Sequence, residues 1–146
     1  MFRYLTSYQQ HPSYSYLQIH SRYSRATSKD INLGTGTAVA TNCFIGNNTG
    51  ATPSLVAGTP NASGSYVGTG ASPLNPWLLP LADNEGRSMT CALLTNSLAI
   101  DHGMNPLDLP WDQRGAPYTR IFGSACDIGA FEYRPPPPTG GVLSVM

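Results

Sequence analysis

Four charged residues that could act together chemically lie near the C-terminal end of a chain with little charge: Asp112, Arg114, Asp127 and Glu132. Two carboxyl groups about 5–5.5 Å or 6.5–9.5 Å apart, on either side of a sugar, would hydrolyse a glycosidic bond. The alternative is a structural network in which Arg114 forks onto Asp112 or Asp127 and ties neighbouring loops together. We favour the network, because Gly115 fits a turn that would hold the guanidinium near the loop backbone.

Two further polar segments could carry chemistry. Asp101 next to His102 suggests acid–base work, but the sequence places no third partner beside them, and we assign Asp101 to the structural network. Residues 83–86 read Asp-Asn-Glu-Gly and could offer oxygen ligands to Ca²⁺. They lack the alternating carboxylate spacing of an EF-hand loop, which favours a polar turn. We therefore predict no catalytic residue and no metal site.

The cysteines and glycines give no sign of a cofactor. Cys43, Cys91 and Cys126 are far apart and show no CxxC spacing, so we expect small, mostly buried apolar side chains. Gly34 and Gly36 lack the third glycine, the lysine and the following helix of a phosphate-binding loop. No cofactor is expected.

The two tryptophans, Trp77 and Trp111, have two interpretations. An exposed tryptophan near an aspartate could contact carbohydrate by stacking. A buried tryptophan could instead cap the end of an apolar column, and we favour that interpretation.

The composition indicates an all-β protein. The chain of 146 residues contains 15 Gly and 13 Pro, which are the two least favourable residues inside a helix. Only 11% of residues are charged and the net charge is zero, so the chain has no basic face for nucleic acid. No segment reaches the length of about 20 apolar residues that spans a membrane.

The chain divides into three regions. Residues 1–29 hold five of the eight tyrosines and no acidic residue, and we expect a poorly ordered tail there. Residues 30–133 contain short apolar bursts separated by Gly, Asn and Thr, with candidate strands at Val39, 43–45, 55–56 and 66–67. A turn at 46–50 is expected to end the second of these strands. Residues 134–146 begin with Arg and four prolines and form a Pro- and Gly-rich linker.

Three stretches together resemble one family of proteins. The first is Pro-Leu-Ala-Asp-Asn-Glu-Gly at 80–86. The second is Ala-Leu-Leu at 92–94, followed by Ser-Leu-Ala-Ile-Asp at 97–101 and Gly103. The third is Asp-Gln-Arg-Gly-Ala-Pro at 112–117 with Asp-Ile-Gly-Ala-Phe-Glu-Tyr at 127–133. In this order they look like the C-terminal region of bacterial choice-of-anchor Q domain proteins.

The resemblance implies the last rungs and the C-terminal cap of a right-handed parallel β-helix. In such a fold the bursts at 92–94 and 98–100 would close the apolar column, and the network of Asp101, Asp112, Arg114, Asp127 and Glu132 would tie the cap together. The implied protein is a non-enzymatic structural or adhesion fragment, extracellular or at the cell surface, that meets surface glycans or other surface proteins. Neither an export signal nor an anchor is recognised within the chain. The alternative is a fragment of a carbohydrate-active β-helix of the polysaccharide lyase or hydrolase type.

Overall fold

The structure is a computed structural model that describes residues 5–11, 14–19, 30–31, 37–51 and 54–137. All the regular elements in these ranges are strands, and no helix occurs among them, which confirms the all-β prediction. The strands form three sheets of two strands each. They are β1 (Leu5–His11), β2 (Tyr14–Ile19), β3 (Phe44–Ile45), β4 (Tyr66–Val67), β5 (Leu78–Ala82) and β6 (Thr90–Leu93).

The N-terminal region contains the first sheet. Strands β1 and β2 pair antiparallel, with Gln9 opposite Tyr16 and a shift of register between Leu5 and Tyr8. These two segments therefore have a paired backbone, where the sequence suggested a poorly ordered tail. The rest of residues 1–29 and the last part of the expected linker lie outside the described residues, and the division into three regions stays a prediction.

Strands β3 and β4 pair in parallel, and this pair sets the register of the central part of the chain. Phe44 lies opposite Tyr66, and their rings stack with centroids 6.2 Å apart and planes 2° apart. The amide of Tyr66 donates to the carbonyl of Cys43, and the amide of Gly68 donates to the carbonyl of Ile45, both at 2.9 Å. Each residue of β3 thus lies directly beside its partner in β4, Phe44 beside Tyr66 and Ile45 beside Val67.

The turn predicted after Ile45 is confirmed. Strand β3 ends at Ile45, and the amide of Ala51 donates to the carbonyl of Asn48 at 2.9 Å. The side-chain oxygen of Asn47 accepts from both the amide and the hydroxyl of Thr49. Asparagine side chains favour such local bonds to nearby backbone, which is why they end a strand.

The third sheet pairs β5 and β6 antiparallel, with Leu81 opposite Cys91. The connection between them contains the segment considered for Ca²⁺, and it is a polar turn. There the carboxylate of Asp83 accepts from the amide of Glu85. Among the described residues, no group of three or more His, Cys, Asp or Glu side chains could hold a metal ion.

Alternation along the parallel pair divides the core into two clusters. Successive side chains on a strand point to opposite faces. One cluster contains Cys43, Ile45, Ala51, Leu55 and Val67. The other contains Phe44, Tyr66, Leu93, Ala99 and Ile128, so residues from β6 and from the C-terminal loops cover one face of the pair.

This second cluster confirms part of the packing expected for the bursts at 92–94 and 98–100. Leu93 and Ala99 are buried, whereas Leu94 and Leu98 are exposed. The strands expected at Val39 and at 55–56 do not form. Val39 is 95% exposed and Val56 is 65% exposed, and among the described residues neither lies opposite a partner strand.

In the part of the chain that the structure describes, no helix is long and apolar enough to cross a bilayer.

The stacked ring of Phe44 should be a main source of stability. We expect Phe44→Ala to lower the free energy of unfolding by about 3–5 kcal/mol, because it removes buried area and leaves a cavity. Urea unfolding followed by circular dichroism measures the loss. Val39→Ala is the control, with an expected change within about 0.5 kcal/mol. Equal effects of the two substitutions would contradict this account of the core.

Candidate functional site

The candidate site is a buried ionic network at the C-terminal end of the described chain, and a loop positions its first two members. Trp111 and Thr119 form an isolated antiparallel bridge. Inside it, the amide of Gly115 donates to the carbonyl of Asp112 at 3.0 Å. Gly115 has φ +84°, a left-handed conformation that glycine adopts without strain. The resulting turn brings Arg114 back over Asp112.

Arg114 forks onto Asp112, one of the two partners expected from the sequence. Its Nη2 lies 2.6 Å from Asp112 Oδ2, and its Nε donates to the same oxygen at 2.9 Å. The guanidinium lies between two aromatic rings, 3.8 Å from the centroid of Tyr118 and 3.9 Å from that of Phe131. Because both charged side chains are buried, the pair has to satisfy its own hydrogen-bonding groups.

The first pair is linked to a distant segment through backbone groups. Arg114 Nη2 donates to the carbonyl of Glu132 at 2.8 Å, and the amide of Glu132 donates to Asp112 Oδ2 at 2.9 Å. The two bonds fix the main chain at Glu132 against the loop at 111–119.

A second ion pair joins Glu132 to Arg120. Arg120 Nη1 donates to Glu132 Oε2 at 3.1 Å, and its Nη2 donates to the carbonyl of Asp127 at the same distance. The remaining acceptor sites of Glu132 take the amides of Phe122, at 2.8 Å, and Asp127, at 3.0 Å.

Arg120 was missed by the sequence analysis, although charge balance offered a signal. The proposed network had the carboxyls of Asp112, Asp127 and Glu132 against the single cation of Arg114. Burying three carboxyls calls for more than one cation. Arg120 is the only other arginine between 112 and 132.

Asp127 and Asp101 extend the network by accepting amides. Asp127 Oδ1 accepts the amide of Asp101 at 2.8 Å, and its Oδ2 accepts the amide of Tyr133 at 2.5 Å. Asp101 Oδ1 in turn accepts the amides of Ser124 and Ala125 at 2.9 and 3.1 Å. The structure therefore brings all five residues assigned from the sequence into one connected network.

The surroundings of the acidic groups shift their titration. Burial raises the pKa of the Glu132 carboxyl to about 7, against the opposing pull of the amide bonds and of Arg120. Burial also raises the pKa of Asp127, again opposed by the bonds from Tyr133 and Asp101. In both cases removal from water is the largest effect.

Two glycines from the family-like stretches allow the segments around the network to approach closely. A Cβ at Gly86 would lie 2.8 Å from the Cα of Arg114. A Cβ at Gly103 would lie 2.4 Å from the carbonyl oxygen of Asp127. Any side chain at either position would displace backbone, so the network depends on both glycines.

An aromatic side chain also connects the network to the β5–β6 turn. The hydroxyl of Tyr118 donates to the Glu85 carboxylate, and this bond raises the pKa of the Tyr118 hydroxyl. The guanidinium of Arg134 lies 5.5 Å from the centroid of the same ring. Tyr118 thus has two arginines near its ring and a carboxylate at its hydroxyl.

The two tryptophans are not the buried caps expected from the sequence. The side chains of Trp77 and Trp111 are 43% and 41% exposed, so that prediction is wrong. The smaller side chains of Ala99 and Ile128, each 0% exposed, occupy the apolar cluster instead. Trp111 lines a cleft beside the network, whereas Trp77 lies outside it.

Asp101 and His102 do not form an acid–base pair. Asp101 accepts amides from 124 and 125, whereas His102 Nδ1 lies 2.5 Å from the carbonyl of Ile100. The imidazole packs edge-on against the ring of Tyr66, with centroids 5.1 Å apart.

The cysteines agree in part with the expected burial. Cys43 and Cys126 are buried and Cys91 is half-buried, and all three are thiols rather than halves of a disulfide. Burial raises the pKa of the thiols of Cys43 and Cys126.

Removing the cation of the first pair should be costly. We expect Arg114→Ala to lower the free energy of unfolding by about 3–5 kcal/mol, because it leaves the Asp112 carboxylate buried without its partner. Thermal and urea unfolding measure the change. Arg87→Ala, at an exposed arginine, serves as the control and should change stability by no more than about 0.5 kcal/mol. Similar stabilities for the two variants would show that the network does not hold the fold.

The pKa of Glu132 predicts how stability depends on pH. Because this pKa is higher in the folded protein than its ordinary value of 4.5, the folded state binds more protons between about pH 4.5 and 7. The free energy of unfolding should therefore fall as pH rises through this window, and Asp127 acts in the same direction.

Urea unfolding at several pH values measures this slope, which Glu132→Gln should flatten. If that variant does not fold, the carboxyl carbon shift of Glu132 in labelled wild-type protein gives the pKa directly. Stability that rises with pH across the window, or a Glu132 titration at its ordinary pKa, would refute the prediction.

Comparison of the chain with family models, curated proteins and solved structures found no match. The similarity to choice-of-anchor Q proteins is therefore a hypothesis carried by the sequence motifs.

Proposed function

We propose that the chain is the C-terminal end of a right-handed parallel β-helix of the choice-of-anchor Q type, with a non-enzymatic structural or adhesive role at the cell surface. The observation that carries this proposal is which groups the buried carboxylates bond to. Asp112, Asp127 and Glu132 direct their oxygens at backbone amides and arginines of their own chain. Side chains used in this way hold loops together.

The parallel pair supports the β-helix part of the proposal. In a β-helix, equivalent positions of successive coils stack with parallel strands. Cys43 and Ser65, 22 residues apart, are bonded through the amide of Cys43 and the hydroxyl of Ser65 at 3.2 Å. Phe44 and Tyr66 continue the same stacking in the next position.

The C-terminal loops support the cap. A β-helix needs its last coil covered, because an open end exposes apolar side chains and unpaired strand edges. Ile128, one residue after Asp127, is fully buried against Phe44 and Tyr66. The network would then hold the covering segment in place.

The carbohydrate-active alternative has less support. A glycosidase needs one carboxyl exposed to protonate the leaving group and a second to act on the sugar or on water. Glu132 has the raised pKa of a general acid, but Glu132 and Asp127 are each 0% exposed. A sugar would reach them only if the loops opened and lost their amide bonds.

An activity screen tests the non-enzymatic role. The purified chain, incubated with neutral and acidic polysaccharides, should release no reducing ends and no unsaturated products above the buffer background. A polysaccharide lyase serves as the positive control. Cleavage that disappears in a folded Asp112→Asn variant would favour the enzymatic alternative.

Surface display is tested on intact source cells. An antibody raised against the purified chain should label unpermeabilised cells, and external protease should remove the label while a cytoplasmic marker stays intact. Labelling that appears only after permeabilisation would count against a surface role.

A further inference from the structure

A cleft of about 290 Å³ lies beside the network, between the turn that precedes β3 and the loop at 104–111. Its lining includes four large apolar residues that are partly exposed to solvent, Met104, Leu107, Leu109 and Trp111. Side chains of this kind lose contact with water when a ligand covers them, which is the usual source of affinity in a small-molecule site.

The lining of the cleft also includes neutral polar residues. Thr41 contributes a hydroxyl and Gln113 an amide. The Nε2 of Gln113 is already bonded to the hydroxyl of Ser88 at 2.8 Å, so its carbonyl oxygen is the group suited to accept a bond from a ligand hydroxyl.

The charged residues at the cleft are engaged in the network. Asp112 is paired with Arg114, and Arg120 is paired with Glu132. Attracting a charged ligand would require breaking one of these buried pairs, which is costly. The cleft therefore suits a neutral ligand that has both an apolar face and hydroxyl groups.

We propose that this cleft binds the neutral sugar ring at the end of a glycan. The C–H face of the ring would stack on the indole of Trp111, and ring hydroxyls would donate to Gln113 and exchange bonds with Thr41. The small volume suits a terminal sugar rather than the interior of a polysaccharide. The inference rests on the proposed adhesive function and names the ligand class that it would recognise.

Tryptophan fluorescence gives the first test, because the chain has two tryptophans. Trp77→Phe leaves Trp111 as the reporter, and Trp111→Phe leaves Trp77. Titration with neutral methyl glycosides and short neutral oligosaccharides should change the emission of the first variant in a saturable way and leave that of the second unchanged. A saturable change from Trp77 alone would overturn the assignment to this cleft.

Calorimetry with the saccharide that gives the largest response then tests the contacts. We expect Trp111→Ala to weaken binding at least about tenfold, equivalent to about 1.4 kcal/mol. Gln113→Leu, which keeps the side-chain size and removes the acceptor, should also weaken binding. Circular dichroism checks that both variants remain folded. Undiminished binding by the Trp111→Ala variant would overturn the proposal.

Two further readouts separate failure of this inference from failure of the proposed function. If the folded protein binds no saccharide of the panel, or binds only an apolar probe such as anilinonaphthalene sulfonate at Trp111, the sugar site is refuted and the structural role stands. The same mixtures are assayed for reducing ends and unsaturated products. Product formation would refute the non-enzymatic role itself.

Discussion

The C-terminal half of the fold depends on one kind of interaction, the hydrogen bond from a backbone amide to a buried carboxylate. After β6 ends at Leu93, the described chain continues to residue 137 with no further strand and only one isolated bridge. Some of its amides donate to backbone carbonyls, as those of Gly103 and Ile128 do. Others have no carbonyl partner, and leaving such amides buried and unpaired would be costly. Asp112, Asp127 and Glu132 supply buried acceptors, Asp101 supplies a partly buried one, and two arginines balance the buried charge.

This polar network and the apolar core depend on each other. The amide of Ile128 donates to the carbonyl of Ala99 at 2.8 Å, and both side chains lie in the cluster with Phe44 and Tyr66. Asp127 precedes Ile128 and is held by amide bonds at both of its oxygens. The apolar contacts exclude water from the carboxylates, and the carboxylates fix the loop that carries Ile128. Weakening either part is therefore expected to loosen the other.

The features that depend on local chemistry could be predicted from the sequence. Gly and Pro exclude helices, Asn47 and its neighbours end a strand, and Tyr66–Val67 is a strand as expected. Five residues of the network were also identified, although Arg120 was not, because charge is sparse in this chain and the few charged residues near its end are close in sequence. The sequence left both Asp112 and Asp127 open as the partner of Arg114. The folded turn at Gly115 decides between them, because it brings Arg114 back over Asp112.

The errors concern features that only tertiary structure decides. Val39 and Val56 are apolar and β-branched, but a strand forms only where another segment pairs with it, and neither residue belongs to a paired strand in the part of the chain that the structure describes. Trp77 and Trp111 are exposed, and the apolar cluster contains the smaller side chains of Ala99 and Ile128 instead. The pairing of β1 with β2 joins tyrosine-rich segments that show no clear alternation in the sequence.

The use of backbone donors has a consequence for how this region can diverge. Phe122, Ser124, Ala125 and Tyr133 contribute amides to the network, and an amide is the same in every residue except proline. Evolution can therefore vary the donor positions widely in side-chain type without losing these bonds. The acceptors have no such latitude, since each needs a carboxylate of one particular length. Homologous chains should consequently share a few fixed acidic residues and arginines, while the residues between these positions vary in side-chain type.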